Sequence, residues 1–162
     1  MKRFMKKFVL LIAMCAMTMI AGYAQEPSQV ATKVDELVKK YENTKGVEAM
    51  VATKGNGLGL LKMMFNQQFG KNFMKGVTSI TIINYSDASP EVCLALHNEL
   101  EVFEALLEEF DMSKEQESTD NDYIKCLASI SKEDKSISDF IFAAEDKETK
   151  MIMYMAGKIQ VE

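Results

Sequence analysis

Histidine and cysteine are scarce in this sequence of 162 residues, which contains one histidine and three cysteines. A structural zinc site normally needs four ligands, drawn mostly from these two residue types. No spacing of serine, histidine and aspartate marks a nucleophilic site, and no pair of acidic residues marks an acid–base site. We therefore expect a protein that is not an enzyme and that carries no cofactor.

Long apolar runs are absent except near the N-terminus. A basic start is followed by an almost entirely apolar stretch from Phe8 to Ile20, and then by the small residues Gly22 and Ala24. This pattern predicts a secretory signal peptide over residues 1–24. The apolar run is too short for a membrane anchor, which needs about 20 apolar residues. We expect export to the periplasm or cell envelope, with no membrane insertion after the signal is removed.

Basic charge is low in the remaining chain. The full sequence has 19 basic and 24 acidic residues, and removal of residues 1–24 takes away four basic side chains and no acidic one, so the formal charge changes from −5 to −9. An acidic chain of this kind repels nucleic acid and anionic lipid headgroups. Residues 25–162 contain no repeat or low-complexity block, and their number fits one domain with a hydrophobic core.

Two cysteines, Cys93 and Cys126, lie outside the predicted signal peptide. An oxidising compartment permits a disulfide between them. A domain of this size does not require one, and cysteine is also among the most buried residue types as a free thiol. The sequence is therefore compatible both with a disulfide and with two buried thiols.

The apolar periodicity predicts three helices and five strands. We expect helices over 28–43, 58–69 and from Ser89 to about Phe110, and strands over 47–53, 77–85, 123–131, 137–144 and 150–161. Residues 112–122 are polar and acidic, which predicts a mobile loop. Strands that follow a mixed portion favour an α+β fold. The predicted architecture is a two-layer sandwich, with helices packed on one face of a mainly antiparallel sheet of about five strands.

A glycine-rich stretch, KGNGLGLL at residues 54–61, resembles a phosphate-binding loop at first sight. A dinucleotide fingerprint that starts at Gly55 would need glycine where Leu60 stands. A Walker-type loop would need Gly-Lys-Ser/Thr, which Leu60-Leu61-Lys62 does not supply. The stretch therefore predicts a tight strand-to-helix turn.

Two groups of residues are candidates for metal binding. Cys93, His97 and Glu101 recur every four residues and would share one side of a helix, where they could bind zinc or form an activated nucleophile. Met151, Met153 and Met155 alternate and would share one face of the last strand, where thioethers could bind cuprous ion. The alternatives are a surface histidine beside a core cysteine, and methionines that fill the core.

The last two strands are apolar on both faces. Phe140 and Phe142 are predicted on one face of the penultimate strand, and Ile137 and Ile141 on the other. An antiparallel sheet in a two-layer fold usually has one wet face, so this pattern indicates a face that a partner covers. The predicted interaction surface consists of Phe140, Phe142, Ile152 and Tyr154. The alternative is that helices cover more of the sheet.

Several segments form a familiar pattern: the signal peptide that ends in Ala-Gln, Lys40-Tyr41-Glu42 and Gly46-Val47-Glu48, the strand-to-helix segment from Val51 to Met64, the ITIINY strand and Gly157-Lys158-Ile159. Together they resemble a family of small exported proteins of Bacteroidetes, catalogued as a domain of unknown function. It implies a cell-envelope location and a binding or regulatory role, and it supplies no catalytic residues. Our leading hypothesis is a non-enzymatic envelope protein that binds a protein partner or itself. The alternative is a periplasmic protein that binds a small ligand, copper or zinc.

Overall fold

The structure, a computed structural model, describes residues 28–69, 73–109, 123–133 and 136–160. The predicted signal peptide, the predicted loop at 112–122 and Phe110 lie outside these ranges. The described residues form three helices, which are α1 (Gln29–Tyr41), α2 (Leu58–Phe69) and α3 (Pro90–Glu104). They also form six strands, which are β1 (Glu48–Thr53), β2 (Gly76–Asn84), β3 (Glu108–Glu109), β4 (Tyr123–Ser131), β5 (Ser136–Glu145) and β6 (Lys150–Gln160).

All six strands belong to one sheet, in the order β1-β2-β6-β5-β4-β3. Every neighbouring pair is antiparallel. The predicted α+β class and the antiparallel arrangement are therefore confirmed, with six strands instead of about five. The additional strand, β3, is only two residues long.

Helices lie on both faces of the sheet, whereas the sequence pattern predicts a two-layer sandwich with helices on one face. On one face, the apolar stripes of α1 and α3 pack on Ile83, Ile152 and Tyr154. On the other face, Leu58, Leu61 and Phe65 of α2 belong to a cluster that contains the alternate strand residues, including Ile82 and Met153. The sheet is apolar on both sides because both of its sides form cores.

The third helix begins where the sequence predicts and ends earlier. Ser89 caps α3, since its side chain accepts a hydrogen bond from the amide of Val92, and Pro90 occupies the first turn. The helix ends at Glu104, so the prediction that it extends to about Phe110 is wrong. The amide of Leu107 still donates to the carbonyl of Phe103 over 2.9 Å, which keeps Leu107 buried beyond the helix end.

One irregularity changes which residues of β5 share a face. The register between β5 and β6 shifts between Ile137 and Phe140, and Asp139 in this segment has a φ of 51°. The shift places Ile137 in the same cluster as Phe140, against the expectation that the two lie on opposite faces. A bulge inserts one residue into the alternation, so every side chain before it changes face.

The glycine-rich stretch forms a reverse turn that leads into α2. Thr53 and Asn56 exchange two backbone hydrogen bonds, of 3.1 and 2.9 Å, across Lys54 and Gly55. Gly55 and Gly57 both have positive φ, which is unfavourable for other residues. The turn uses the outer edge of β1 at Thr53, because the inner edge of that strand pairs with β2.

Candidate functional site

Cys93 and Lys150 meet near one end of the sheet. The ammonium Nζ of Lys150 donates to the Sγ of Cys93 over 3.2 Å. Cys93 lies in the first turns of α3 and its sulfur also lies 3.8 Å from the carbonyl oxygen of Tyr85 and 3.7 Å from that of Ala88. Cys93 is buried at the margin of the core, with 8% of its surface exposed.

Glu145 organises the polar side chains next to this pair. Its Oε1 accepts a 2.7 Å hydrogen bond from the hydroxyl of Tyr85 and lies 3.3 Å from Nδ1 of His97. The ring of His97 also lies 4.7 Å from that of Tyr123, measured between centroids. We use the term Cys93 cluster for Cys93, Lys150, Tyr85, Glu145 and His97.

Burial determines the ionisation of the phenol in this cluster. It raises the pKa of Tyr85, and the hydrogen bond to Glu145 raises that pKa further because it stabilises the protonated form. Tyr85 is therefore a neutral donor to the Glu145 carboxylate at ordinary pH. The arrangement links one thiol, one amine and one carboxylate on three different elements.

The structure separates the predicted zinc ligands. Cys93 contacts Lys150, His97 faces Glu145, and Glu101 is exposed further along α3. Within the described ranges, no group of three or more histidine, cysteine or acidic residues could hold a metal ion. The sequence identified Cys93 and His97 but not Glu145 and Lys150, because their approach depends on the β5–β6 hairpin.

The methionine ladder is part of the core. Met151, Met153 and Met155 are between 1% and 5% exposed and belong to the same apolar cluster as α2. Thioethers packed among aliphatic and aromatic side chains fill space, as methionine commonly does. The placement favours the packing interpretation over a copper site that is open to solvent.

The predicted interaction surface is mostly buried. Phe140 lies in the cluster with α2, while Ile152 and Tyr154 lie beneath α1 and α3 on the other face. Phe142 is half-buried. These four residues do not form one exposed surface, because helices cover both faces of the sheet.

Cys93 and Cys126 are both buried and form no disulfide, and they belong to clusters on opposite faces of the sheet. A disulfide requires its two Cα atoms to lie within about 7 Å with the side chains directed towards each other. The sheet between the two thiols prevents that geometry. The disulfide that the sequence permits is therefore absent.

An exposed apolar surface lies on α2. Leu60 is 44% and Met63 is 53% exposed, and residues three apart lie on the same side of a helix. Exposed Lys54 precedes the helix, and Lys62 donates from its ammonium to the carbonyl of Lys75 over 3.4 Å. We call Leu60, Met63 and these three lysines the α2 surface.

The outer side of α3 has the opposite charge. Leu94 and Val102 are 62% and 43% exposed, and Glu91, Glu101 and Glu104 are exposed around them. We call these five residues the α3 surface. The α2 and α3 surfaces lie on helices that pack against opposite faces of the sheet.

The two surfaces reflect an uneven distribution of charge along the chain. Residues 49–86 contain four lysines and no acidic residue, whereas residues 87–162 contain 19 acidic and seven basic residues. The overall acidic composition hides this division. Counting charges by segment would have detected it from the sequence alone.

The chain matches no protein-family model, no curated protein and no solved structure. In the described portion of the chain, no helix combines the length and hydrophobicity that crossing a bilayer requires.

Proposed function

We propose that this protein is a non-enzymatic, exported component of the cell envelope that acts by binding protein, and that it binds a second copy of itself. The observation that carries the proposal is the complementarity of the α2 and α3 surfaces. Each surface combines two exposed apolar side chains with charged residues of one sign, which are Lys54, Lys62 and Lys75 in the α2 surface and Glu91, Glu101 and Glu104 in the α3 surface.

The α2 and α3 surfaces face away from each other, and this placement supports contact between two copies of the chain. Because α2 and α3 lie on opposite faces of the sheet, the two surfaces cannot meet within one chain. The α2 surface of one copy would instead contact the α3 surface of the next. Such a head-to-tail contact leaves one surface of each kind free, so it adds further copies unless a ring closes.

Apolar and charged groups have different roles in this contact. Leu60 and Met63 would bury against Leu94, which supplies most of the affinity. The lysines and glutamates would fix the orientation and speed up the encounter of copies. Added salt screens exposed charges, so the association should weaken as ionic strength rises.

The test is sedimentation equilibrium of the purified protein at increasing concentration. Wild-type protein should form species larger than a dimer. Met63→Glu and Leu94→Lys should each be monomeric, because each variant retains only one functional surface. A mixture of the two variants should form dimers that do not grow, since Met63→Glu still offers α3 and Leu94→Lys still offers α2.

Lys39→Gln is the matched control. Lys39 is exposed on α1, outside both surfaces, and this substitution changes the net charge by the same amount as Met63→Glu. The control should associate like wild type. The proposal would be overturned by a wild-type protein that stays monomeric at every concentration. It would also be overturned if the α2 surface bound anionic vesicles or another envelope protein instead of a second copy of this chain.

A further inference from the structure

The Cys93 cluster contains a nucleophilic pair that the proposed binding function does not use. A lysine ammonium in a protein usually interacts with a carboxylate, and the β-sheet partner of Lys150 across the β5–β6 pair is Glu145. The carboxylate of Glu145 instead accepts from Tyr85 and lies against His97. The ammonium of Lys150 donates to the Cys93 sulfur.

Both partners are held in place by their backbones. The amide of Lys150 donates to the hydroxyl of Ser86 over 2.9 Å, and its carbonyl accepts from the amide of Tyr85 over 2.9 Å. The amide of Cys93 donates to the carbonyl of Ser89 over 2.9 Å in the first turn of α3. The 3.2 Å contact of nitrogen with sulfur therefore links two elements whose backbones are held by hydrogen bonds, at the margin between the core and solvent.

We propose that Cys93 and Lys150 form a peroxide-responsive cross-linking site. Hydrogen peroxide oxidises the thiol by two electrons to a sulfenic acid, and one oxygen of the peroxide leaves as water. Sulfenic acids condense with nearby nitrogen nucleophiles to form sulfenamides. The amine of Lys150 then forms an S–N bond to Cys93, the S–O bond breaks, and one water and one proton are released to solvent.

The overall reaction consumes one thiol, one ammonium group and one hydrogen peroxide, and it yields one sulfenamide, two waters and one proton. The product joins α3 covalently to the start of β6. A thiol reductant removes the cross-link: its sulfur attacks the sulfenamide sulfur, takes the place of the amine and forms a mixed disulfide with Cys93, which a second thiol group reduces to the free Cys93 thiol. The site therefore senses an oxidant without a second cysteine.

Cys126 provides a control thiol in the same chain. It is buried on the other face of the sheet, within the cluster formed around α2, and it lies in the middle of β4. Burial in apolar surroundings lowers the reactivity of a thiol, whereas the Cys93 sulfur lies beside the ammonium group of Lys150. Cys126→Ala leaves Cys93 as the one thiol of residues 25–162 and simplifies the products.

The experiment treats Cys126→Ala protein with hydrogen peroxide and maps peptides by mass spectrometry without reduction. We expect a cross-linked peptide that contains Cys93 and Lys150, lighter by two hydrogen atoms than the sum of its parts, and its loss after treatment with dithiothreitol. Lys150→Arg keeps the positive charge but lacks the primary amine. This variant should lose the cross-link and accumulate the sulfenic acid, which a dimedone probe captures.

Two results would overturn the proposal. One is a Cys93 that is oxidised without any link to Lys150 in protein with a native circular dichroism spectrum. The other is equal oxidation of Cys93 and Cys126 in the wild-type chain. Lys147→Arg, at a neighbouring exposed lysine in the β5–β6 turn, should leave the yield of cross-link unchanged.

Discussion

The hydroxyl of Tyr154 donates a 2.6 Å hydrogen bond to Oδ1 of Asp139. The same carboxylate oxygen accepts from the hydroxyl of Ser28 over 2.7 Å, and the Ser28 oxygen in turn accepts from the amide of Ala31. Asp139 thus connects the cap of α1 with β5 and β6. Its φ of 51° is unfavourable for most residues, although aspartate and asparagine tolerate it better than others.

Tyr154→Phe should therefore destabilise the protein. Tyr154 is buried, and hydrogen bonds to charged groups contribute about 1.5–3 kcal/mol, so urea unfolding should show a loss of stability in that range.

Asp139→Asn should lower the free energy of unfolding less than Asp139→Ala does, because asparagine keeps an oxygen acceptor and tolerates positive φ. Equal losses for the two substitutions would show that the carboxylate oxygen does not organise this corner of the fold.

Stability should fall in alkaline solution because of two buried phenols. Burial raises the pKa of Tyr154 and Tyr85, and hydrogen bonds to Asp139 and Glu145 raise them further. In the unfolded chain, tyrosine loses its proton near the ordinary pKa of about 10. The contribution of both residues to the free energy of unfolding is therefore complete below about pH 10, and it is lost as the pH rises towards their pKa values in the native state.

The measurement is urea unfolding between about pH 9 and pH 11, across the ordinary pKa of tyrosine. The double variant Tyr85→Phe/Tyr154→Phe should lose less stability over this interval than wild type, whatever its stability at neutral pH. Identical slopes for the two proteins would mean that other groups cause the alkaline loss.

Phe103 is an anchor of the α3 face of the core, with 2% of its surface exposed. Phe103→Ala should cost about 3–5 kcal/mol and Leu107→Ala about 2–5 kcal/mol, because each removes buried apolar volume. Glu101 and Glu108 are exposed, and their substitution by alanine should change the free energy of unfolding by no more than about 0.5 kcal/mol. Equal losses in the two pairs would contradict the phase of α3 and the burial of Leu107 beyond the end of that helix.

Two glycines mark a close approach between β2 and β6. A Cβ at Gly157, where φ is 108°, would lie 2.3 Å from the carbonyl oxygen of Gly76, and one at Gly76 would lie 2.0 Å from that of Lys158. Gly157→Ala should lower the free energy of unfolding by about 2–6 kcal/mol, because backbone strain and steric overlap each contribute about 1–3 kcal/mol.

Gly59 provides the control for this substitution. It lies in α2, and apart from its chain neighbours and the backbone of its own helix, no atom lies within 4 Å of a Cβ at this position. Gly59→Ala should leave stability unchanged or raise it by up to about 1 kcal/mol, since alanine has the higher helix propensity. Thermal unfolding of both variants gives the comparison, and a stable Gly157→Ala protein would contradict the close packing of β2 on β6.

Helices and strands were predictable from the sequence where the spacing of apolar residues matches the side chains that are buried in the structure. The apolar spacing of Val30, Val34 and Leu37 predicts α1 within two residues of its observed ends, and Ser89-Pro90 fixes the start of α3. The end of α3 was not predictable, because the apolar spacing continues to Leu107 after the helical hydrogen bonds have stopped.

The site was less predictable than the fold. His97 and Cys93 stand out in the sequence, but Glu145 and Lys150 reach them only through the pairing of β5 with β6. The bulge at Asp139 reverses the alternation of β5 and leaves no sequence signal beyond an aspartate in an apolar strand. Local pattern cannot show such long-range pairings, because they are set by the whole sheet.

The position of β6 has a consequence for the order of folding. This strand follows the other described strands in chain order, and it lies between β2 and β5. The β1–β2 pair and the group of β3, β4 and β5 are therefore separate sheets until β6 inserts between them. A chain still emerging from the ribosome exposes four open strand edges and cannot complete its core, because pairings between distant segments form late. Until β6 is in place, the strands on its two sides share neither a sheet nor a common core, so the addition of this one strand completes the native structure.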